Sequence, residues 1–127
     1  MTDTTAVEIC DLVKRYGHTT AVDGLSLLAR RGAVTAVLGP NGAGKTTTIE
    51  ICEGYRRPGA GRVAVLGLDP VTDAPALRPR VGVMLQSGGI PPAVRPGEYL
   101  AVLARFYAHP LDPAWLLDRL GLTAAAR

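Results

Sequence analysis

Eight consecutive residues, Gly39-Pro40-Asn41-Gly42-Ala43-Gly44-Lys45-Thr46, match the pattern G-x-x-x-x-G-K-[ST] at every fixed position. Their types and spacing suit one task, which is holding the phosphates of a nucleotide. Gly42 and Gly44 permit backbone angles that turn successive N–H groups inward around an anion. A helix beginning here would add its free N-terminal donors and the positive end of its dipole. Lys45 would set a charge on the β and γ phosphates, and the Thr46 hydroxyl would ligate Mg²⁺. Each charge-assisted hydrogen bond contributes roughly 1.5–3 kcal/mol, so several together make a micromolar nucleotide site.

Such a loop needs a strand before it and a helix after it, and the chain offers both. Residues 33–38 are apolar almost throughout, as expected of a strand buried on both faces of a parallel sheet. Residues 45–53 read as the helix that the loop feeds. Upstream, residues 5–15 alternate as a strand ending at Tyr16-Gly17-His18, and residues 24–29 form a second apolar run closed by Arg30-Arg31-Gly32. Residues 62–66 and 81–85 read as further strands. Past Gln86 the pattern becomes helical. Pro96 suits a first helical turn, Leu100, Leu103, Phe106 and Tyr107 recur at helical spacing, and Asp112-Pro113 reads as a cap with a first-position proline. Gly121 fits a helix stop.

The whole composition agrees with a globular nucleotide-binding chain. The 127 residues are 47% hydrophobic, with 14 Lys+Arg against 11 Asp+Glu and a formal net charge of +3. That charge is too small to argue for nucleic acid as a partner. No apolar run is long enough to span a bilayer, and residues 1–5 lack the features of a signal peptide; a cytosolic chain is expected. Cys10 and Cys52, far apart in apolar segments, read as two buried thiols in a reducing compartment. Only Lys14 and Lys45 are Lys, and this Arg, Gly, Pro and Ala bias points to a GC-rich, bacterial genome.

The loop extended to Thr47 resembles the Walker A loop of ATP-binding-cassette (ABC) proteins, where Pro-Asn-Gly within the loop and Thr-Thr after the Lys are typical. Leu12-Val13-Lys14-Arg15-Tyr16-Gly17 resembles the family's A-loop, whose aromatic stacks on adenine; Tyr16 lies 29 residues before Lys45. Ala21-Val22-Asp23-Gly24-Leu25-Ser26 is similar to the strand between those motifs. Val81-Gly82-Val83-Met84-Leu85-Gln86 resembles the strand ending in the Q-loop glutamine.

The resemblance implies an α/β fold of the P-loop NTPase kind. Its core sheet would be joined by N-terminal antiparallel strands and by the start of a helical subdomain, ending before the signature motif. Residues 1–93 would be the catalytic-core portion and residues 94–127 the helical start. It implies ATP and Mg²⁺ as cofactors, bound by Tyr16, Gly39, Pro40, Asn41, Gly42, Ala43, Gly44, Lys45, Thr46 and Thr47. Thr46 and Gln86 would face the metal, and Gln86 the attacking water. The implied partners are a second ATPase subunit, head to tail, and a transmembrane permease reached through the Q-loop and helical region. The chain would then lie on the inner face of the plasma membrane.

Departures from the family pattern bound these expectations. Ser87-Gly88-Gly89 is not the LSGGQ signature, because Gln86 precedes it and Ile90 follows it. Val65-Leu66-Gly67-Leu68-Asp69 is not a Walker B strand, because Gly67 interrupts it and no Glu follows Asp69. His18 and His109 read as surface histidines. The residues therefore resemble the first half of an ABC ATPase, with spacing after Gly54 similar to bacterial exporters of drugs, antibiotics or polymers. Two alternatives stay open, an ATP-binding fragment without hydrolysis and a soluble ABC protein outside transport. A GTPase is disfavoured by the lack of an N-K-x-D motif, and a small-molecule kinase by the two strands before the loop.

Overall fold

Ile9 and Leu12, both fully buried, sit three residues apart on one strand, which simple alternation forbids. In the computed structural model, which describes residues 4–84, 89, 93–107 and 109–125, a β-bulge at Asp11 reconciles them. On strand β1 (Thr5–Tyr16), Ile9 and Leu12 face Leu27 and Leu25 of strand β2 (Thr19–Arg30). Cys10 and Val13 likewise face Arg62 and Ala60 of strand β3 (Ala60–Val65). Three steps on β1 match two on each neighbour, so one residue is extra. Asp11 takes up the slack at φ 49°, and its backbone N–H donates to the Ser26 hydroxyl at 2.9 Å.

The strand also corrects an expectation about the thiols, because Cys10 follows the buried Ile9 and alternation turns it to the other face. Cys10 falls outside the core and is exposed, while Cys52 is half-buried; both are free.

The three strands run antiparallel in the order β2-β1-β3. Tyr16 pairs with Thr19, leaving Gly17-His18 as a two-residue hairpin loop with Gly17 in the left-handed region. Helix α1 (Lys45–Cys52) packs across β2 and β3. Its Ile51 joins Ile9, Leu12, Val22, Val63 and Val65 in the core, closed by Leu77 of helix α2 (Ala74–Leu77). Asp69 shapes the turn leading to α2, its carboxylate accepting from the N–H groups of Val71 and Thr72 at 2.8 and 3.0 Å. Those bonds hold the Asp69 carboxyl below its ordinary range.

The architecture is α/β as expected, with the N-terminal antiparallel strands in place. The parallel strand expected at 33–38 is absent. These residues pair with no described strand and are exposed, Val34 fully and Leu38 at 87%. Apolar content alone does not make a strand, because a ladder needs a neighbouring strand to pair with. Residues 81–84 form no ladder either, and Leu85 lies outside the described residues.

The chain divides into two compact units, Met1–Gly82 and Val83–Arg127. The second holds helix α3 (Pro96–Ala104) and helix α4 (Pro113–Arg119), both opening on proline as expected. Asp112 caps α4 by accepting from the Ala114 N–H at 3.0 Å, and Gly121 follows in the left-handed region. Between the helices lies an apolar groove of about 330 Å³ lined by Leu100, Leu103, Tyr107 and Leu116. Among the described residues no helix is long and apolar enough to cross a membrane.

Candidate functional site

The glycine-rich loop runs exposed from Gly39 into the first turn of α1. Gly44 is the N-cap, at φ 82°, and no side chain caps the helix. The backbone donors of that first turn have no partner within the helix. They are therefore open to an anion, with the helix dipole behind them. Gly44 is packed hard against β2, since a Cβ on it would stand 2.1 Å from the Ala21 carbonyl oxygen. Thr48, buried in α1, ties the junction together by donating its hydroxyl to the Gly44 carbonyl at 2.9 Å.

Lys45 curls back over the loop and donates from Nζ to the carbonyls of Gly39 and Pro40, both at 2.6 Å. Its partners are neutral carbonyls, and no carboxylate pairs with it among the described residues. The Ala43 N–H donates to the Pro40 carbonyl at 3.3 Å, closing the turn that includes Asn41 and Gly42. Thr46 is exposed on the first turn and Thr47 half-buried beside it.

This donor set fits a polyphosphate, with free backbone N–H groups, an unneutralised ammonium and exposed glycine backbone. It fits a divalent ion only together with that anion. Among the described residues no cluster of three His, Cys, Asp or Glu could hold a metal. The chain offers the Thr46 hydroxyl, and phosphate oxygens and water would complete the shell.

Tyr16 ends β1 with its side chain 41% exposed, and two cations attend its ring. Lys14 Nζ lies 5.3 Å and Arg56 Cζ 5.4 Å from the ring centroid. Lys14 also donates to the Arg57 carbonyl at 2.8 Å, and Arg56 is ion-paired through Nε to Glu50. The hydrogen bond to Glu50 and that residue's charge raise the Arg56 guanidinium above its ordinary value. Glu53 lies at the other end of α1 from the loop, its carboxyl pushed up by burial and then by Glu50.

The first unit thus contains the whole glycine loop and Tyr16. Gln86, and with it the expected Q-loop role, lies outside the described residues. His18 and His109 are exposed. Local spacing in the sequence does not point to these contacts of Thr48, Lys14 and Arg56. A third consecutive Thr after the Lys was the available signal for Thr48. Nothing in the sequence links Arg56 to Tyr16, because only the fold brings them together.

Comparison with known proteins places this arrangement in a family context. A family model described as "ABC transporter" matches residues 22–125. The daunorubicin resistance ATP-binding protein DrrA3 of Streptomyces coeruleorubidus is 41% identical over 103 residues, 81% of this chain and 33% of its own length. The Nod factor export ATP-binding protein I of Rhizobium etli is 35% identical over 103 residues, with the same two coverages. Among solved structures, an ATP binding subunit of an ABC transporter superposes with a TM-score of 0.81 at 24% identity, covering 96% of this chain and 53% of that one. The cbiO1 protein from Clostridium perfringens, part of the cbiONQ complex, gives 0.74 at 22%, covering 97% and 53%. At those identities the solved structures speak to the fold alone. The chain spans about a third of the length of the curated relatives it matches and about half of those solved chains.

Proposed function

The chain belongs to the ABC transporter family, and we propose that it carries the ATP-binding half of a nucleotide-binding subunit that couples ATP binding and hydrolysis to export across the membrane. The observation that carries this reading is the exposed loop ending in a helix with no side-chain cap, with Lys45 at its first position and, among the described residues, no carboxylate paired with it. In this reading Lys45 turns from the Gly39 and Pro40 carbonyls to the β and γ phosphates. The N–H groups from Gly42 to Thr47 surround the phosphates, and Asn41 and Pro40 shape the turn. Thr46 and Gln86 face Mg²⁺, which would neutralise phosphate charge during transfer to water. Tyr16 stacks on the adenine, a contact of roughly 1–3 kcal/mol that tolerates any base. A second such subunit, head to tail, and a transmembrane permease are the proposed partners, with the subunit held at the inner membrane face by the permease. Residues 94–127 are proposed as the start of the helical subdomain. The names of the two curated relatives, drug resistance and Nod factor export, support an exporter.

For the 127 residues by themselves we propose binding without turnover. An attacking water needs a carboxylate acceptor, and the two acids of α1 and its C-cap are engaged or remote. Glu50 is paired with Arg56, and Glu53 lies roughly 12 Å along the helix axis from Lys45.

Calorimetric titration with Mg–ATP tests the reading. Lys45→Ala should cost about 2–3 kcal/mol, roughly a hundredfold in affinity; unchanged affinity would remove the phosphate-loop assignment. Steady-state phosphate release from the chain above a Lys45→Ala control would overturn the binding-only reading.

A further inference from the structure

We infer that Arg56 is a positioning residue for the Tyr16 ring, set in place by Glu50 near the end of helix α1, and that it governs how firmly this aromatic holds a nucleotide base. The inference rests on the proposed stacking role of Tyr16 and deepens it.

One residue fixes Arg56 at two points. The Arg56 backbone N–H donates to the Glu50 carbonyl at 3.2 Å, and its Nε donates to the Glu50 carboxylate. The Tyr55 N–H shares that carbonyl at 2.9 Å, so the turn after α1 is itself held. With its backbone and Nε both tied, the guanidinium has little freedom left. It rests with Cζ 5.4 Å from the Tyr16 centroid, within the range where a cation is drawn to the negative face of a ring. Lys14, from the same strand as Tyr16, reaches the Arg57 carbonyl at 2.8 Å and fastens the adjoining residue to β1. The segment after α1 is therefore latched around Tyr16 from both sides of the contact.

Two physical consequences bear on a base. The latch restricts the ring's rotation, so less freedom remains to be lost when a base stacks. Cations near the ring also draw on its π electrons, which favours stacking against an electron-rich purine. Glu50 and Lys45 belong to one helix. A single rigid element thus carries the cation proposed for the phosphates and the carboxylate that sets the ring proposed for the base.

The test separates base from phosphate. The 127-residue chain is titrated with Mg–ATP and with Mg–tripolyphosphate, which has phosphates and no base. Arg56→Ala is expected to weaken ATP about two- to fivefold, the range of an exposed cation–π contact, and to leave tripolyphosphate unchanged. Glu50→Gln, which frees the guanidinium without removing it, is expected to shift ATP the same way and by less. In a Tyr16→Ala background, Arg56→Ala should have no further effect. Equal losses for both ligands, tighter ATP binding, or a full additional loss in the Tyr16→Ala background would each overturn the inference. If Tyr16→Ala weakens ATP and neither Arg56→Ala nor Glu50→Gln does, only the inference falls. If Tyr16→Ala leaves ATP affinity unchanged, the stacking reading falls first.

Discussion

The backbone of Gly44 passes so close to Ala21 that a Cβ at position 44 would stand 2.1 Å from the Ala21 carbonyl oxygen and 3.0 Å from Val22 Cγ2. The start of α1 is seated directly on β2, and the loop's shape depends on that seat. Gly44→Ala should therefore do more than remove flexibility. Its φ of 82° alone costs a non-glycine residue about 1–2 kcal/mol, and the Ala21 contact forces the helix start to move. We expect loss of ATP binding at least as large as in Lys45→Ala, with a lowered melting temperature that Lys45→Ala does not show. Calorimetry and thermal melts of the two variants check this; a Gly44→Ala protein with full ATP affinity would contradict it.

A second close approach lies under the bulge. A Cβ on Gly61, at φ 82°, would come 2.2 Å from the Asp11 carbonyl oxygen and 2.5 Å from that of Cys10. Left-handed strain and overpacking together put the cost of Gly61→Ala at about 2–4 kcal/mol. Urea denaturation should show the drop in midpoint. Gly17→Ala, at φ 55° in open space, should cost only the backbone strain.

The two thiols should separate cleanly by reactivity. Burial, and then the Glu53 charge, push the Cys52 thiol up to about 11. At pH 8 only about one in a thousand Cys52 side chains is then thiolate, the reactive form. Cys10 is exposed. A maleimide or disulfide reagent should modify one thiol quickly under native conditions, with the second following only on unfolding or at strongly alkaline pH. Peptide mapping that finds Cys52 labelled first would refute this.

The exposed apolar residues of the 33–38 segment predict self-association. Val34 and Leu38 stand in solvent on an unladdered backbone, and in the second unit Leu103 and Phe106 are 37% and 79% exposed. Unpaired extended backbone and uncovered apolar side chains both recruit further chains. Sedimentation should show concentration-dependent association, and urea unfolding should give a stability below about 5 kcal/mol. A monomer with a cooperative transition above that value would show that the chain closes its own core.

What the sequence made legible follows the range of the interactions. The phosphate loop, α1, the opening prolines of α3 and α4 and the Asp112 cap all rest on contacts within a few residues, and local spacing reveals them. The strand expected at 33–38 depended on neighbours that spacing cannot supply, and it is absent. Cys10 sits in an apolar segment, yet alternation from the buried Ile9 turns it outward. The Glu50–Arg56–Tyr16 contacts join the end of β1 to the turn after α1, and nothing local announces that meeting. Gln86 was read from its place after an apolar run, and its surroundings lie outside the described residues.

Strand β1 also keeps a count, and the bulge sets it. Ile9 and Tyr16 are seven positions apart, an odd number, so an unbroken strand would turn them to opposite sides of the sheet. The extra residue at Asp11 restores even parity: Leu12, Lys14 and Tyr16 then follow at twos on the side that shares its core with Ile51 of α1. That is the side on which Arg56 meets the Tyr16 ring. Deleting the single codon for Asp11 would set Ile9 and Tyr16 six positions apart, so a regular strand without the bulge would keep Leu12, Lys14 and Tyr16 on that same side. One residue inserted between Leu12 and Lys14 would instead carry Lys14 and Tyr16 to the far side, unless a second bulge absorbed it. In the ancestry of such chains, this strand should therefore lose a residue at the bulge more readily than it gains one beyond Leu12.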